Sequence, residues 1–289
     1  MMNILIVGSN SYIGRSIGNW FSQKEQAPQI DYVSVRNDQW KSVDLTEYDT
    51  VIFSAAIVHQ KHIDDWTLYE SVNAKLPYEF AAKAKDQGVR HFIFISTAAV
   101  FAASKTLPLG TVISHDTPLA PNSMYGRSKL LGEQLLRELR SKEFHVSFVR
   151  PMNVYGKNCR GNYISLLTKL TKLLPFLPEA FGNVKQGMIY IDNLAELCWL
   201  IAHSEQSGIY MAQDREPVST YEIMDTISNG LGLQKHAIRC TWLFKFFYRF
   251  PLIQKLFGGI AYSQEISTCS LGDYCIVDFQ EGMRRTVGE

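Results

Sequence analysis

"NILIVGSNSYIG", residues 3–14, sets an apolar run directly against two glycines, Gly8 and Gly14, that frame a short polar turn. A run this apolar has no wet face, so it belongs inside a sheet. Gly8 permits a tight turn after that strand, and Gly14 lets the following helix pack against it. Ser11 holds the middle place of a G-x-x-G-x-x-G frame. A helix that starts here offers free N–H groups to phosphate oxygens. Gly8 and the segment Ser11, Tyr12, Ile13 and Gly14 are therefore the expected pyrophosphate cradle of a dinucleotide. The alternative is a glycine-rich turn without a ligand. Ser11 departs from the frame, and its side chain must either point away from the phosphates or hydrogen-bond to one.

The same style of segment recurs along the chain. "YVSV" (32–35), "DTVIFSAA" (49–56), "RHFIFIST" (90–97) and "HVSFVRP" (145–151) read as buried strands. Between them lie helical patterns at 15–23, at 68–88 and at 123–142, the second stopping at Gly88. This alternation predicts an α/β fold, a doubly wound parallel sheet of the Rossmann kind with a smaller C-terminal substrate domain. After Pro151 the pattern changes, with Pro175 and Pro178 interrupting apolar helical pieces, and it returns to the earlier style at "GMIYI" (187–191). The expected division is 1–156 plus about 185–212 for the dinucleotide domain. About 157–184 plus 213–289 then form the substrate domain.

Composition narrows the function. The 289 residues carry 29 Lys and Arg against 28 Asp and Glu, a net charge of +1, so no overall field favours nucleic acid or an acidic membrane. Five scattered cysteines without CxxC spacing argue against a metal site or a disulfide framework and fit a reduced, cytoplasmic compartment. The first residues read as a strand and not as a signal peptide, and no apolar run is long enough to span a bilayer.

The second strand ends in Arg36, where an NAD site usually has a carboxylate about 20 residues after the glycine loop. A guanidinium there suits a 2′-phosphate, so NADP is the expected cofactor and NAD the alternative. Asp38 is a rival for the ribose hydroxyl, and a solvated surface arginine is the plain reading.

"MYGRSK" (124–129) sets Tyr125 and Lys129 one helical turn apart. A free phenol titrates near 10, and an ammonium beside it favours the phenolate, which turns the pair into an acid/base device. Ser96 and Thr97 end a buried strand, at the edge where ligands of such sheets bind.

Taken with "VDL" (43–45), "VIFSAA" (51–56), "VNAKLP" (72–77), "FISTAAVF" (94–101), "VRPMNVYG" (149–156) and "IYIDNLAE" (189–196), these motifs resemble the extended short-chain dehydrogenase/reductases. Within them the chain resembles the nucleotide-sugar epimerases, dehydratases and 4-ketoreductases, in motif order nearly end to end. That resemblance implies Thr97, Tyr125 and Lys129 as the catalytic group, with Ser96 structural. It puts Asp44 and Leu45 beside the adenine, Ala55 and Ala56 beside the cofactor ribose, Asn73 further along the groove, and Lys129 on the ribose. It puts Asn153 on the substrate diphosphate, with Gln186, beside Lys185, where the family often has an arginine. Ala98 and Ala99 replace the Asp-Glu pair of the dehydratases, which leaves epimerisation or keto reduction, most plausibly at C4 of a nucleotide sugar. Homodimers are common in the family, and the apolar positions Leu131, Leu135, Leu136 and Leu139 suit one, with packing into the core as the equal alternative. The rival readings are an NADP-dependent reductase of a non-sugar ketone and a non-catalytic NADP-sensing protein.

Two features stand apart. His59 and His62 read as solvated loop residues, with a sugar hydroxyl as the other role. "TWLFKFFYRFPLIQKLF" (241–257) is aromatic and basic, and Pro251 divides it. It is expected to pack over the sugar site, with a membrane interface as the alternative.

Overall fold

A computed structural model describes residues 2–58, 65–101, 108–159 and 162–288, so His59 and His62 lie outside the described residues. Six strands form one sheet: β1 (Asn3–Val7), β2 (Gln29–Val33), β3 (Thr50–Phe53), β4 (His91–Ile95), β5 (His145–Pro151) and β6 (Ile209–Ala212). Their order is β6-β5-β4-β3-β1-β2, and every pairing is parallel. The order reverses between β1 and β3, the switch point at which open α/β sheets bind ligands.

The strand sequences explain the two layers. Ile4 and Ile6 point to one face of β1, and Leu5 and Val7 to the other; all four are buried. The first face packs on α1 (Tyr12–Phe21) through Ile17 and Phe21 and on the helix Ile191–Ala202 through Leu194, Cys198 and Ile201. The second packs on α2 (Leu76–Asp86) through Phe80, Ala81 and Ala84 and on α3 (Met124–Arg137) through Leu136. Strands covered on both faces must be apolar throughout, which is why they read as continuous runs and not as alternations.

Two local readings change. The second strand is Gln29–Val33 and not 32–35, because its partner β1 turns away at Gly8 (φ +107°); the N–H groups of Gly8 and Ser9 on the Val33 carbonyl (2.9 and 3.2 Å) are the last bonds between the two. Arg36 therefore lies three residues beyond β2 and is exposed. A 3-10 turn, Asp38–Ser42, leads into "VDL", which is no strand.

Helix α2 is preceded by a helix, Trp66–Glu70, and a π-helical turn, Ser71–Lys75. Pro77 has no N–H to give the Asn73 carbonyl four residues earlier, so the helix widens there. Helix α3 crosses that widened turn closely: a Cβ at Gly132 would stand 2.6 Å from the Asn73 carbonyl oxygen, so only glycine fits.

The segments assigned to a second domain share the core of the first. One continuous apolar cluster runs from Ile4 and Ile17 through Leu167, Phe181 and Ile223 to Met283. The aromatic stretch forms two short helices, Thr241–Phe247 and Pro251–Phe257. Leu256 and Phe257 enter the core, while Trp242, Phe246, Phe247, Phe250 and Leu252 are exposed.

Candidate active site

The expected cofactor cradle falls in the turn after β1. Gly8 has φ +107°, a conformation closed to most side chains, and a Cβ there would meet the Ala55 backbone nitrogen at 3.0 Å. A Cβ at Gly14 would meet Ser54 Oγ at 2.5 Å. Ser54 is fixed in turn, its hydroxyl donating to the Val7 carbonyl (2.9 Å). The place of Ser11 is now explained: it is the N-cap of α1, and its hydroxyl accepts from the Gly14 N–H at 3.2 Å. Ser11 is thus spent on the helix start, leaving the N–H groups of Tyr12 and Ile13 without a partner in the described chain. Two free donors at a helix N-terminus, in a cradle a Cβ would fill, fit a pyrophosphate. Arg15, which the sequence reading passed over, donates to the Ser9 carbonyl (2.6 Å) and lies 4.2 Å from the Tyr32 ring.

The other expected cofactor positions divide into wall and support. Ala55 and Ala56 follow β3 and are half-buried beside Gly8. Arg36 is exposed beyond β2, and its rival Asp38 is paired with Lys41 at 2.9 Å. Asp44 caps its own turn through the Thr46 N–H and hydroxyl (2.9 and 2.8 Å), which lowers its carboxyl from the usual value. Leu45 is fully buried, packed with Trp40 and Phe80, so its side chain backs the wall and does not line it. Asn73 is also fully buried. Its side chain accepts from the Ile57 N–H and donates to the Ile57 carbonyl (both 2.9 Å) and to Ser128 Oγ (3.0 Å). Every polar atom of that amide is used, so Asn73 clamps the 55–57 loop to α3 instead of meeting a ligand itself.

At the C-terminal end of β4, Thr97 turns out of the sheet and caps the short turn Ala98–Val100, accepting from the Ala99 N–H at 3.2 Å. Its hydroxyl is hydrogen-bonded to Tyr125 from the first turn of α3. A Cβ at Gly126 would overlap the Ala99 carbonyl, so glycine lets α3 close onto this turn. Burial pushes the Tyr125 phenol up to about 12, against a lowering by Thr97. The phenol is therefore protonated at neutral pH.

Lys129 is fully buried one turn further along. Its ammonium donates to the Ile95 carbonyl at 2.7 Å and lies 4.1 Å from the Phe94 ring. Burial lowers its pKa to about 7, with Glu133 opposing the shift. Lys129 is thus held to the end of β4, the strand that carries Thr97, and what sets the Tyr125 phenol here is burial. Glu133 lies another turn on, also fully buried. It accepts from Arg150 Nε (3.0 Å) and Nη2 (2.6 Å) and from the Ser96 hydroxyl (2.6 Å). The sequence carried a signal for both: Glu133 continues the four-residue spacing of Tyr125 and Lys129, and Arg150 is a lone charge inside a buried strand.

The two expected substrate positions differ. Asn153 is exposed on a short strand, Asn153–Tyr155, just past β5. Gln186 is buried, and its amide donates to Tyr163 Oη and to Thr220 Oγ1 (3.4 Å), while Lys185 is paired with Glu222 at 2.5 Å. Neither side chain of that pair is free in this arrangement.

Residues 4–211 match the NAD dependent epimerase/dehydratase family, and the chain belongs to that family. Two relatives show the range within it. A UDP-glucose 4-epimerase of Vibrio cholerae is 30% identical over 245 residues, 80% of this chain and 73% of its own. The N-acetyl-alpha-D-glucosaminyl-diphospho-ditrans,octacis-undecaprenol 4-epimerase of Escherichia coli O157:H7 is 26% identical over 247 residues, 80% and 72%. Among solved structures, UDP-glucuronic acid 4-epimerase from Bacillus cereus, in complex with NAD, has the same fold, with a TM-score of 0.74 at 18% identity over 98% of this chain and 97% of that one.

The depressed Lys129 pKa makes a prediction about stability. Between pH 7 and 10.5 the unfolded chain keeps the Lys129 proton and the folded one does not, so this lysine makes stability rise with pH across that window. Its share of the slope is at most about 1.4 kcal/mol per pH unit. Urea midpoints between pH 7 and 9 should climb less steeply for Lys129→Met than for the unmodified chain; equal slopes would place the proton elsewhere.

Proposed function

We propose that the protein is an NAD(P)-dependent 4-epimerase of a nucleotide sugar. The observation that carries the reading is the Tyr125–Thr97 hydrogen bond at the C-terminal end of β4, with Lys129 held to the same strand one turn behind. The names of the two relatives, both 4-epimerases, supply the reacting carbon. Ala98 and Ala99 offer no acid or base for removing a hydroxyl, which argues against dehydration.

A bound nicotinamide would supply the hydride acceptor. The chain's own part is proton handling and orientation. Thr97 holds the sugar C4 oxygen by a hydrogen bond, and Tyr125 exchanges a proton with that oxygen. A phenol raised by burial serves first as an acid, returning the proton when a C4 ketone is reduced. Acting as a base in the opposite direction requires stabilisation of the phenolate, which positive charge on Lys129 and the cofactor would provide. Asn153, exposed beyond β5, is positioned for the diphosphate side of the substrate. A simple 4-ketoreductase uses the same residues and differs only in consuming its cofactor.

Tyr125→Phe should lower turnover by roughly 10²–10⁴ and leave cofactor affinity nearly unchanged. Steady-state rates with a UDP-sugar, alongside calorimetric cofactor titration, check both; full activity of the variant would remove Tyr125 from proton transfer.

The exposed Arg36, with Asp38 engaged by Lys41, favours a 2′-phosphate. NADP(H) should bind at least about tenfold more tightly than NAD(H), a difference of about 1.4 kcal/mol, and Arg36→Ala should erase the preference. Tighter NAD(H) binding by the unmodified chain would contradict this.

A further inference from the structure

The two helices at 241–257 expose an unusual surface. Trp242 is 74% exposed and Phe246 67%, and all three exposed phenylalanines among the described residues, Phe246, Phe247 and Phe250, belong to this stretch. Lys245 and Arg249 are exposed between them and Lys255 is exposed just beyond, and Arg249 lies 5.7 and 5.3 Å from the Phe246 and Phe250 rings. Residues 226–264 include five lysines and arginines and no aspartate or glutamate, although the whole chain balances at +1. A contiguous aromatic patch of this kind marks an interaction surface.

The charge pattern selects the partner. Two copies of this surface facing each other would oppose like charges, and protein interface cores are depleted in lysine. Aromatic rings interleaved with cations match the boundary of an anionic bilayer, where rings enter the headgroup zone and cations meet lipid phosphates. No helix among the described residues is long and apolar enough to cross a membrane, so the contact would be peripheral.

We propose that residues 241–257 seat the protein on an anionic lipid surface. The seat is rigidly joined to the body. The Leu256 carbonyl accepts from Tyr163 Oη at 3.1 Å and from Thr220 Oγ1 at 2.5 Å, the two side chains that also hold Gln186. Surface binding therefore fixes how the substrate-side segment around Gln186 faces the bilayer. The inference stands apart from the proposed reaction, since lipid binding is read without substrate.

Co-sedimentation of the full chain with vesicles of phosphatidylglycerol and phosphatidylcholine, and with phosphatidylcholine alone, tests it. The protein should pellet with the mixed vesicles, much less with the neutral ones, and less as salt rises. Lys245→Glu with Arg249→Glu should weaken partitioning by roughly tenfold or more, as should Trp242→Ser with Phe246→Ser. All four positions are exposed, and thermal unfolding together with NADP(H) titration confirms that each variant is folded. A chain that stays in the supernatant with mixed vesicles overturns the proposal. So does a dimer in lipid-free buffer that Trp242→Ser dissociates, because the patch would then be covered by a second copy.

Discussion

One buried carboxylate holds the candidate-site end of the molecule together. Glu133 accepts from Nε and Nη2 of Arg150 on β5 and from the hydroxyl of Ser96 at the end of β4, while projecting from α3. It thereby fixes three elements at one point. Ser96 precedes Thr97, and Glu133 lies two turns from Tyr125, so the Thr97–Tyr125 hydrogen bond inherits its geometry from this junction. Removing one partner of a buried ion pair typically costs about 3–5 kcal/mol, because the other charge is left uncompensated. The arrangement is therefore a strong constraint on how α3 can sit, whatever its net contribution to stability.

The same junction sets the electrostatics. Lys129 lies between Tyr125 and Glu133 on one helix face, fully buried, and burial works against its charge while Glu133 supports it. Its ammonium rests on the Ile95 carbonyl, so it ties the helix to β4 a second time. Glycines complete the fit: the helix approaches the Ala99 turn at Gly126 and the Asn73 turn at Gly132, with no room for a Cβ at either. Asn73 then passes the constraint to the loop after β3, which lies against Gly8.

Most of the sheet was legible in the sequence, and so was the placing of Tyr125 and Lys129 on one helix, because apolar runs and a four-residue spacing are local signals. The apolar runs placed β1, β3, β4 and β5, and the amphipathic pattern over 123–142 placed α3. The end of β2 was misplaced because it is set by where its partner β1 turns away, at Gly8, and not by the extent of the local apolar run. Leu45, Asn73 and Gln186 carried the right chemistry for ligand contacts, yet burial turns each inward: Leu45 into the core, Asn73 onto Ile57, Gln186 onto Tyr163. Glu133 and Arg150 lie 17 residues apart on different elements, and only the fold brings them together. The stretch 241–257 had the composition of either a lid or a membrane seat, and composition does not separate the two.

The central claim is that hydride leaves and returns at one sugar carbon while Tyr125 moves the proton. A UDP-sugar deuterated at C4, incubated with the enzyme and its cofactor and followed by NMR, reads this directly. The account predicts a C4-inverted product that keeps its deuterium, with no net consumption of cofactor. Failure to invert C4, or a label lost to solvent, would contradict it.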